Sequence, residues 1–226
     1  MEINFRNDST NKTVDINKSI VSIHSNGKTI INNLKSDYDV VEIDNLNMFF
    51  ISDNVLNEIS LYSVFPELNI VSDAMQIIGF NHEFFDRKIS SLSFTDKLFL
   101  NIFRNIAKQC DILLFNNIFY GLDHNYRKKI IKLINYLKDN SYCIIICSDD
   151  VNDLYRYSDY VLIDNNEDIN YGKSDELFID IDTLNKFKLE VPTLSYITYK
   201  AKKEKNIKLF YSKDVRDIIK DIYKHV

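Results

Sequence analysis

The chain has 226 residues, 45% of them hydrophobic and 27% charged, with 28 Lys and Arg against 33 Asp and Glu. That composition excludes a wholly disordered chain, and the net charge of −5 argues against a general nucleic-acid binder. No stretch approaches the roughly 18 uninterrupted apolar residues of a membrane span, the opening residues hold no signal-peptide core, and Cys110, Cys143 and Cys147 read as reduced, packed thiols.

Residues 19–23 (SIVSI) form the first short apolar run, too short for a helix, and predict a strand buried on both faces. Overlapping its last two residues is SIHSNGKT, residues 22–29, ahead of a helical stretch at 30–34. A loop of the pattern G-x-x-x-x-G-K-[ST] between strand and helix wraps backbone N–H groups around phosphates, with a Lys beside them and a hydroxyl for a metal. Gly27, Lys28 and Thr29 match that pattern, Ser25 and Asn26 complete the loop, and Ser22 stands where the first glycine belongs.

Residues 52–96 read as a helical insertion, with helices around 54–63 and 71–78 and a loop at Phe65 and Pro66. The stretch 97–108 places Leu98, Phe99, Ile102, Phe103 and Ile106 on one helical stripe, and 126–138 does the same with Ile130, Ile131, Ile134 and Leu137. Further strands are predicted at 112–115 (ILLF), 143–147 (CIIIC) and 160–163 (YVLI). Strands alternating with helices make the class α/β, with a mainly parallel sheet. Beyond residue 181 the chain is charged and broken by Pro192, and its basic run at 200–208 reads as a solvated helix face.

The stretch 92–123 (LSFTDKLFLNIFRNIAKQCDILLFNNIFYGLD) resembles the core of an ABC-transporter ATPase subunit. In that family a signature LSGGQ opens a helix, and a strand ending in Asp-Glu and a Gly-Leu-Asp loop follow. Residues 144–150, 158–163 and 172–178 are similar to the family's switch strand, closing strand and closing turn. Residues 50–59 and 184–192 are similar to the energy-coupling-factor (ECF) ATPases of that family. The resemblance implies a P-loop ABC domain over 1–180, a helical subdomain at about 52–105, and a small C-terminal extension, 181–226, that serves in dimerisation. It implies binding of ATP or ADP through Ser22, Ser25, Asn26, Gly27, Lys28 and Thr29, with Thr29 a weak Mg²⁺ contact. It further implies pairing through Gly121, Leu122 and Asp123 in a homo- or heterodimer, a membrane-embedded transport subunit as partner, and a place on the cytoplasmic face of the cell membrane.

The departures from the family fall on the chemistry. Asn116 and Asn117 stand where its metal-holding Asp and general-base Glu belong, and a neutral amide supplies neither anionic charge nor a proton acceptor. Asp149 replaces the switch His, and an ionised carboxylate repels a γ-phosphate. In the signature Leu92 and Ser93 remain, while Phe94, Thr95 and Asp96 replace the two glycines and the Gln. Phe5 is the one candidate for stacking on adenine. The reading is a degenerate ABC subunit of an ECF-like importer, with little or no ATP hydrolysis and with Mg²⁺ weakly held or absent. Two alternatives stand beside it: an active ATPase using Asp111, Asp123, Asp149 or Asp150 as displaced carboxylates, and a nucleotide-free scaffold that keeps only the fold.

Overall fold

The computed structural model describes residues 1–24, 27–62, 68–108, 110–165 and 167–224. In chain order these form β1 (Glu2–Arg6), β2 (Asn11–Asp15), β3 (Ile20–His24), α1 (Lys28–Asp37), β4 (Val40–Asp44), α2 (Val55–Ser60), α3 (Leu68–Ile77), α4 (Phe94–Ile106), β5 (Ile112–Asn116) and α5 (His124–Asp139). There follow β6 (Cys143–Ser148), α6 (Val151–Tyr157), β7 (Tyr160–Asp164), β8 (Ile169–Lys173), α7 (Ser174–Leu177), α8 (Ile181–Lys186), α9 (Thr193–Lys205) and α10 (Val215–Ile222). The architecture is α/β with a mostly parallel central sheet. The predicted loop at Phe65 and Pro66 lies outside the described residues.

The chain divides into two compact units. The first holds Met1 and Leu34–Ile145. In it β4 runs parallel to β5, Val40 opposite Ile112 and Asp44 opposite Asn116. The β5 residues Ile112, Leu113, Leu114 and Phe115 are almost wholly buried, as an apolar run covered on both faces should be. Around α4 the helical residues make an aromatic core: Phe80 lies 4.5 Å from Phe84 and 5.7 Å from Phe103, both edge-on. Gly79, at φ +84°, lets the chain leave α3, the Phe80 N–H bonding back to the Met75 carbonyl at 2.9 Å.

Among the described residues of this unit, the pair of Glu58 and Arg104 is buried. The Glu58 carboxylate is wholly buried, and Arg104 Nη1 reaches its Oε1 at 2.6 Å. Its other oxygen accepts from the Ile51 and Ser52 amides at 2.9 and 2.8 Å. The Arg104 guanidinium also lies 4.8 Å over the Phe50 ring, so one pair ties down residues 50–52.

The second unit holds Glu2–Asn33 and Ile146–Val226. There β3 runs parallel to β7, Val21 opposite Tyr160 and Ile23 opposite Leu162, and β7 pairs antiparallel with β8. The N-terminal residues make a hairpin of β1 and β2, in which Ile3 faces Val14. Beneath these strands lies a polar chain. Ser22 Oγ sits 2.9 Å from Ser158 Oγ, and the Ser158 carbonyl accepts from Ser174 Oγ at 2.7 Å and from Lys213 Nζ at 2.8 Å. Lys213 also donates to Ser174 Oγ at 2.6 Å and pairs with Asp175 at 2.9 Å.

Candidate functional site

The phosphate-loop residues fall where strand gives way to helix. The β3 strand ends at His24, and the Gly27 N–H turns back to the His24 carbonyl at 2.9 Å. A Cβ on Gly27 would stand 2.9 Å from Ile23 Cγ2 and 3.3 Å from the His24 carbonyl, so close approach demands glycine here. Ser25 and Asn26 lie outside the described residues. Lys28 and Thr29 open α1, whose free N–H groups and dipole favour an anion; Lys28 is exposed and Thr29 half-buried. Ser22 stands apart from them. It is a wholly buried residue of β3, and its hydroxyl is engaged by Ser158.

A cavity of about 550 Å³ opens beside Lys28. Its walls are Asp164 at the end of β7, Asn165 and Glu167 from the β7–β8 connection, and Lys186, Phe187 and Lys188 from the end of α8. Asp164 accepts a 2.8 Å hydrogen bond from Asn7 Nδ2. Also in this unit, burial pushes the His24 imidazole pKa below its usual 6.5, opposed by the charge and backbone of Asp149 and by Glu190. Asp149 is exposed, and its neighbour Asp150 is spent as the N-cap of α6, accepting from the Asn152 amide at 2.8 Å. Phe5 is wholly buried in β1, which removes it as a stacking surface for a ligand.

In the other unit Asn116 ends β5 with its amide turned to a carboxylate. Asn116 Nδ2 donates to Glu42 Oε1 at 2.6 Å, and Lys35 bonds the other Glu42 oxygen. Burial pushes the Glu42 pKa up, but Lys35 and Asn116 outweigh it and hold the group ionised below its usual value. Asn117 follows in the left-handed region at φ +46°, which Asn tolerates. A magnesium ion needs oxygen ligands of high negative charge; two amides, one already donating to Glu42, do not fit it. Among the described residues no group of three or more His, Cys, Asp or Glu gathers to hold a metal.

The remaining predicted residues are in plain structural employment. Gly121 takes φ +72°, Leu122 is buried, and Asp123 caps α5 by accepting from the Asn125 and Tyr126 amides at 2.8 and 3.1 Å. Leu92 is buried, Ser93 caps α4 through the Asp96 amide at 3.1 Å, and Ser93 Oγ meets Thr95 Oγ1 at 3.1 Å. Phe94 is exposed, and the Asp96 charge is paired with Arg87 at 3.1 Å. Asp111 cannot stand in for a carboxylate at Asn116. It precedes the opposite end of β5, five residues away at about 3.3 Å each, and accepts from the Asp39 amide. Sequence reasoning missed Glu42, Lys35, Lys186 and Lys188; only strand pairing and the cavity bring them to notice.

No family model matches the chain. The energy-coupling factor transporter ATP-binding protein EcfA2 of Clostridium acetobutylicum is 31% identical over 157 residues, 68% of this chain and 51% of that protein. EcfA2 of Clostridium perfringens is 30% identical over 130 residues, 56% of this chain and 46% of that protein. The chain spans about half the length of the curated relatives it matches. Among solved structures, CbiO1 of Clostridium perfringens, part of the ABC transporter complex CbiONQ, superposes with a TM-score of 0.63. It is 16% identical over 88% of this chain and 96% of that one, a likeness of fold.

Proposed function

We propose, on the premise that its homologues are ABC transporter ATP-binding proteins with energy-coupling factor subunits among them, that this chain is an ABC-type subunit of an ECF-like membrane import complex. It holds ATP or ADP at Gly27, Lys28 and Thr29 and does not turn it over. The loop amides and the start of α1 receive the phosphates, Lys28 supplies the first positive charge, and the Thr29 hydroxyl donates beside it. The observation that carries the loss of hydrolysis is the 2.6 Å bond from Asn116 to Glu42. That bond spends the Asn116 amide where the family's metal-holding Asp belongs, and Asn117 beside it, at the general-base position, is an amide too weakly basic to take a proton from water; losing a general base costs about 10²–10⁴ in rate.

Contacts with other subunits have support in exposed apolar residues. Leu46, Phe49 and Ile51 are 67%, 75% and 68% exposed, beside the segment held by Glu58 and Arg104. Such patches mark docking surfaces, and a membrane-embedded transport subunit is the partner this reading assigns to them. An ABC partner pairs through Gly121, Leu122 and Asp123, with 181–226, where Phe210 and Tyr223 are exposed, as a second dimerisation element. No helix among the described residues is long and apolar enough to cross a membrane, and the subunit sits on the cytoplasmic face through its partners.

The test is equilibrium binding of ATP to wild type and Lys28→Ala, with phosphate release measured in parallel. Binding lost in Lys28→Ala, with release no faster than a buffer blank, is the expected result. Release above the blank that vanishes in Lys28→Ala overturns the loss of hydrolysis; no binding by wild type at millimolar ATP overturns the nucleotide site.

A further inference from the structure

We propose that Lys188, with Lys186, completes the phosphate site begun by Lys28, so that this chain holds a polyphosphate with ammonium groups in place of a divalent metal. The inference rests on the reading that Lys28 faces a nucleotide's phosphates.

Three observations meet. First, Lys28, Lys186 and Lys188 line one cavity of about 550 Å³, within the 300–1,000 Å³ range of ligand pockets. They outnumber the two carboxylates on the same walls, Asp164 and Glu167. Lys28 and Lys188 enter no ion pair among the described residues, and Lys186 has only a loose, exposed one with Asp168 at 3.7 Å.

Second, Lys188 stands where glycine belongs. Its φ of +55° puts it in the left-handed region. The Lys188 N–H bonds the Asn185 carbonyl at 3.1 Å, and the Leu189 N–H bonds the Leu184 carbonyl at 2.9 Å. Those two bonds are the helix-ending motif whose left-handed position glycine fills without strain. Buried Phe187 and Leu189 on either side fix the backbone, so the chain bears a strained conformation to present a lysine at the cavity. Attraction to the α8 dipole does not require it, since Lys186 already sits in the last turn.

Third, Asn116 and Asn117 do not fit Mg²⁺. A polyphosphate bound without the metal keeps its full negative charge and needs cations elsewhere, and lysine is a compact point charge suited to that.

The experiment is calorimetric titration of the full chain with inorganic pyrophosphate and with ATP, each in EDTA and in excess Mg²⁺. Wild type, Lys28→Ala, Lys188→Ala, Lys188→Gly and the distant Lys200→Ala are compared. Wild type and Lys200→Ala bind equally in EDTA and in Mg²⁺. Both Lys188 variants bind about five-fold more weakly, the worth of one partly exposed ionic contact. Lys188→Gly melts no lower than wild type, because it removes strain as well as charge, which separates lost binding from lost folding. Lys188 variants that bind like wild type while Lys28→Ala does not would overturn the inference and leave the phosphate loop standing. A wild type that binds only with Mg²⁺ overturns it equally. No binding of pyrophosphate or ATP by wild type removes the nucleotide reading along with it.

Discussion

Replacing Glu58 by Ala tests whether the buried pair with Arg104 holds the segment before α2. Glu58 is wholly buried and the Arg104 side chain is 11% exposed, so neither charge can fall back on water. The substitution strands a guanidinium and leaves the Ile51 and Ser52 amides without their acceptor. Breaking a buried pair from one side costs about 3–5 kcal/mol, a large share of the roughly 5–15 kcal/mol that domains possess. In urea, at about 3 kcal/mol per molar for a chain of this size, the midpoint falls by 1 M or more. Arg104→Met loses a similar amount, and the double variant Glu58→Ala with Arg104→Met loses about 2 kcal/mol less than the sum, because it removes both charges together. Burial raises the Glu58 pKa, but the Ser52 and Ile51 amides and Arg104 outweigh it and hold the group below its ordinary 4.5. Its stabilisation is therefore complete above about pH 4.5 and is lost as pH falls through the lower, folded value. A loss under about 1 kcal/mol in Glu58→Ala, or strict additivity in the double variant, would refute the reasoning.

Three further outcomes follow from the site. Gly27→Ala puts a methyl 2.9 Å from Ile23 Cγ2, so ATP affinity drops by about ten-fold or more in calorimetry, with a stability loss of about 1–3 kcal/mol in urea. Asn116→Asp sets a carboxylate against Glu42 across a 2.6 Å contact. It restores no phosphate release, and its stability falls by about 1 kcal/mol as pH rises through the raised value of the carboxylate pair; added Glu42→Gln cancels that loss. Because His24 titrates below 6.5 in the folded chain, stability declines as pH drops from about 6.5 and levels off below the folded value; melts of His24→Asn lack that limb.

Strands at 19–23, 112–115, 143–147 and 160–163 were legible because each is a short apolar run; the last three lie within β5, β6 and β7, and the first overlaps β3 but begins one residue early. The β4 strand was not, since Glu42 and Asp44 interrupt Val40, Val41 and Ile43, and β8 (INYGK) carries almost no apolar pattern. The β1–β2 hairpin hides for a similar reason: only Ile3, Phe5 and Val14 among its strand residues are buried. Gly27, Lys28 and Thr29 could be proposed from local spacing because a phosphate loop is made of neighbours, and the structure sets them where β3 gives way to α1. Glu42 lies 74 residues from its partner Asn116, and Lys188 lies far along the chain from Lys28; neither pairing leaves a trace in spacing.

Ser22 of β3, with Ser158 and Ser174, links residue 213 to the early strands of the chain. Lys213 grips Ser174 and the Ser158 carbonyl, and the Ser158 hydroxyl meets Ser22 in β3, the strand that leads to Gly27 and Lys28. Shortening the chain ahead of residue 213 therefore does more than trim a surface appendage. It leaves the Ser158 carbonyl and the buried Ser174 hydroxyl without the lysine that pegs them together, in the unit that also carries Gly27 and Lys28. Versions of this protein cut at residue 180 would be poor instruments for measuring nucleotide affinity, whereas fusions placed after residue 224 keep that peg in place.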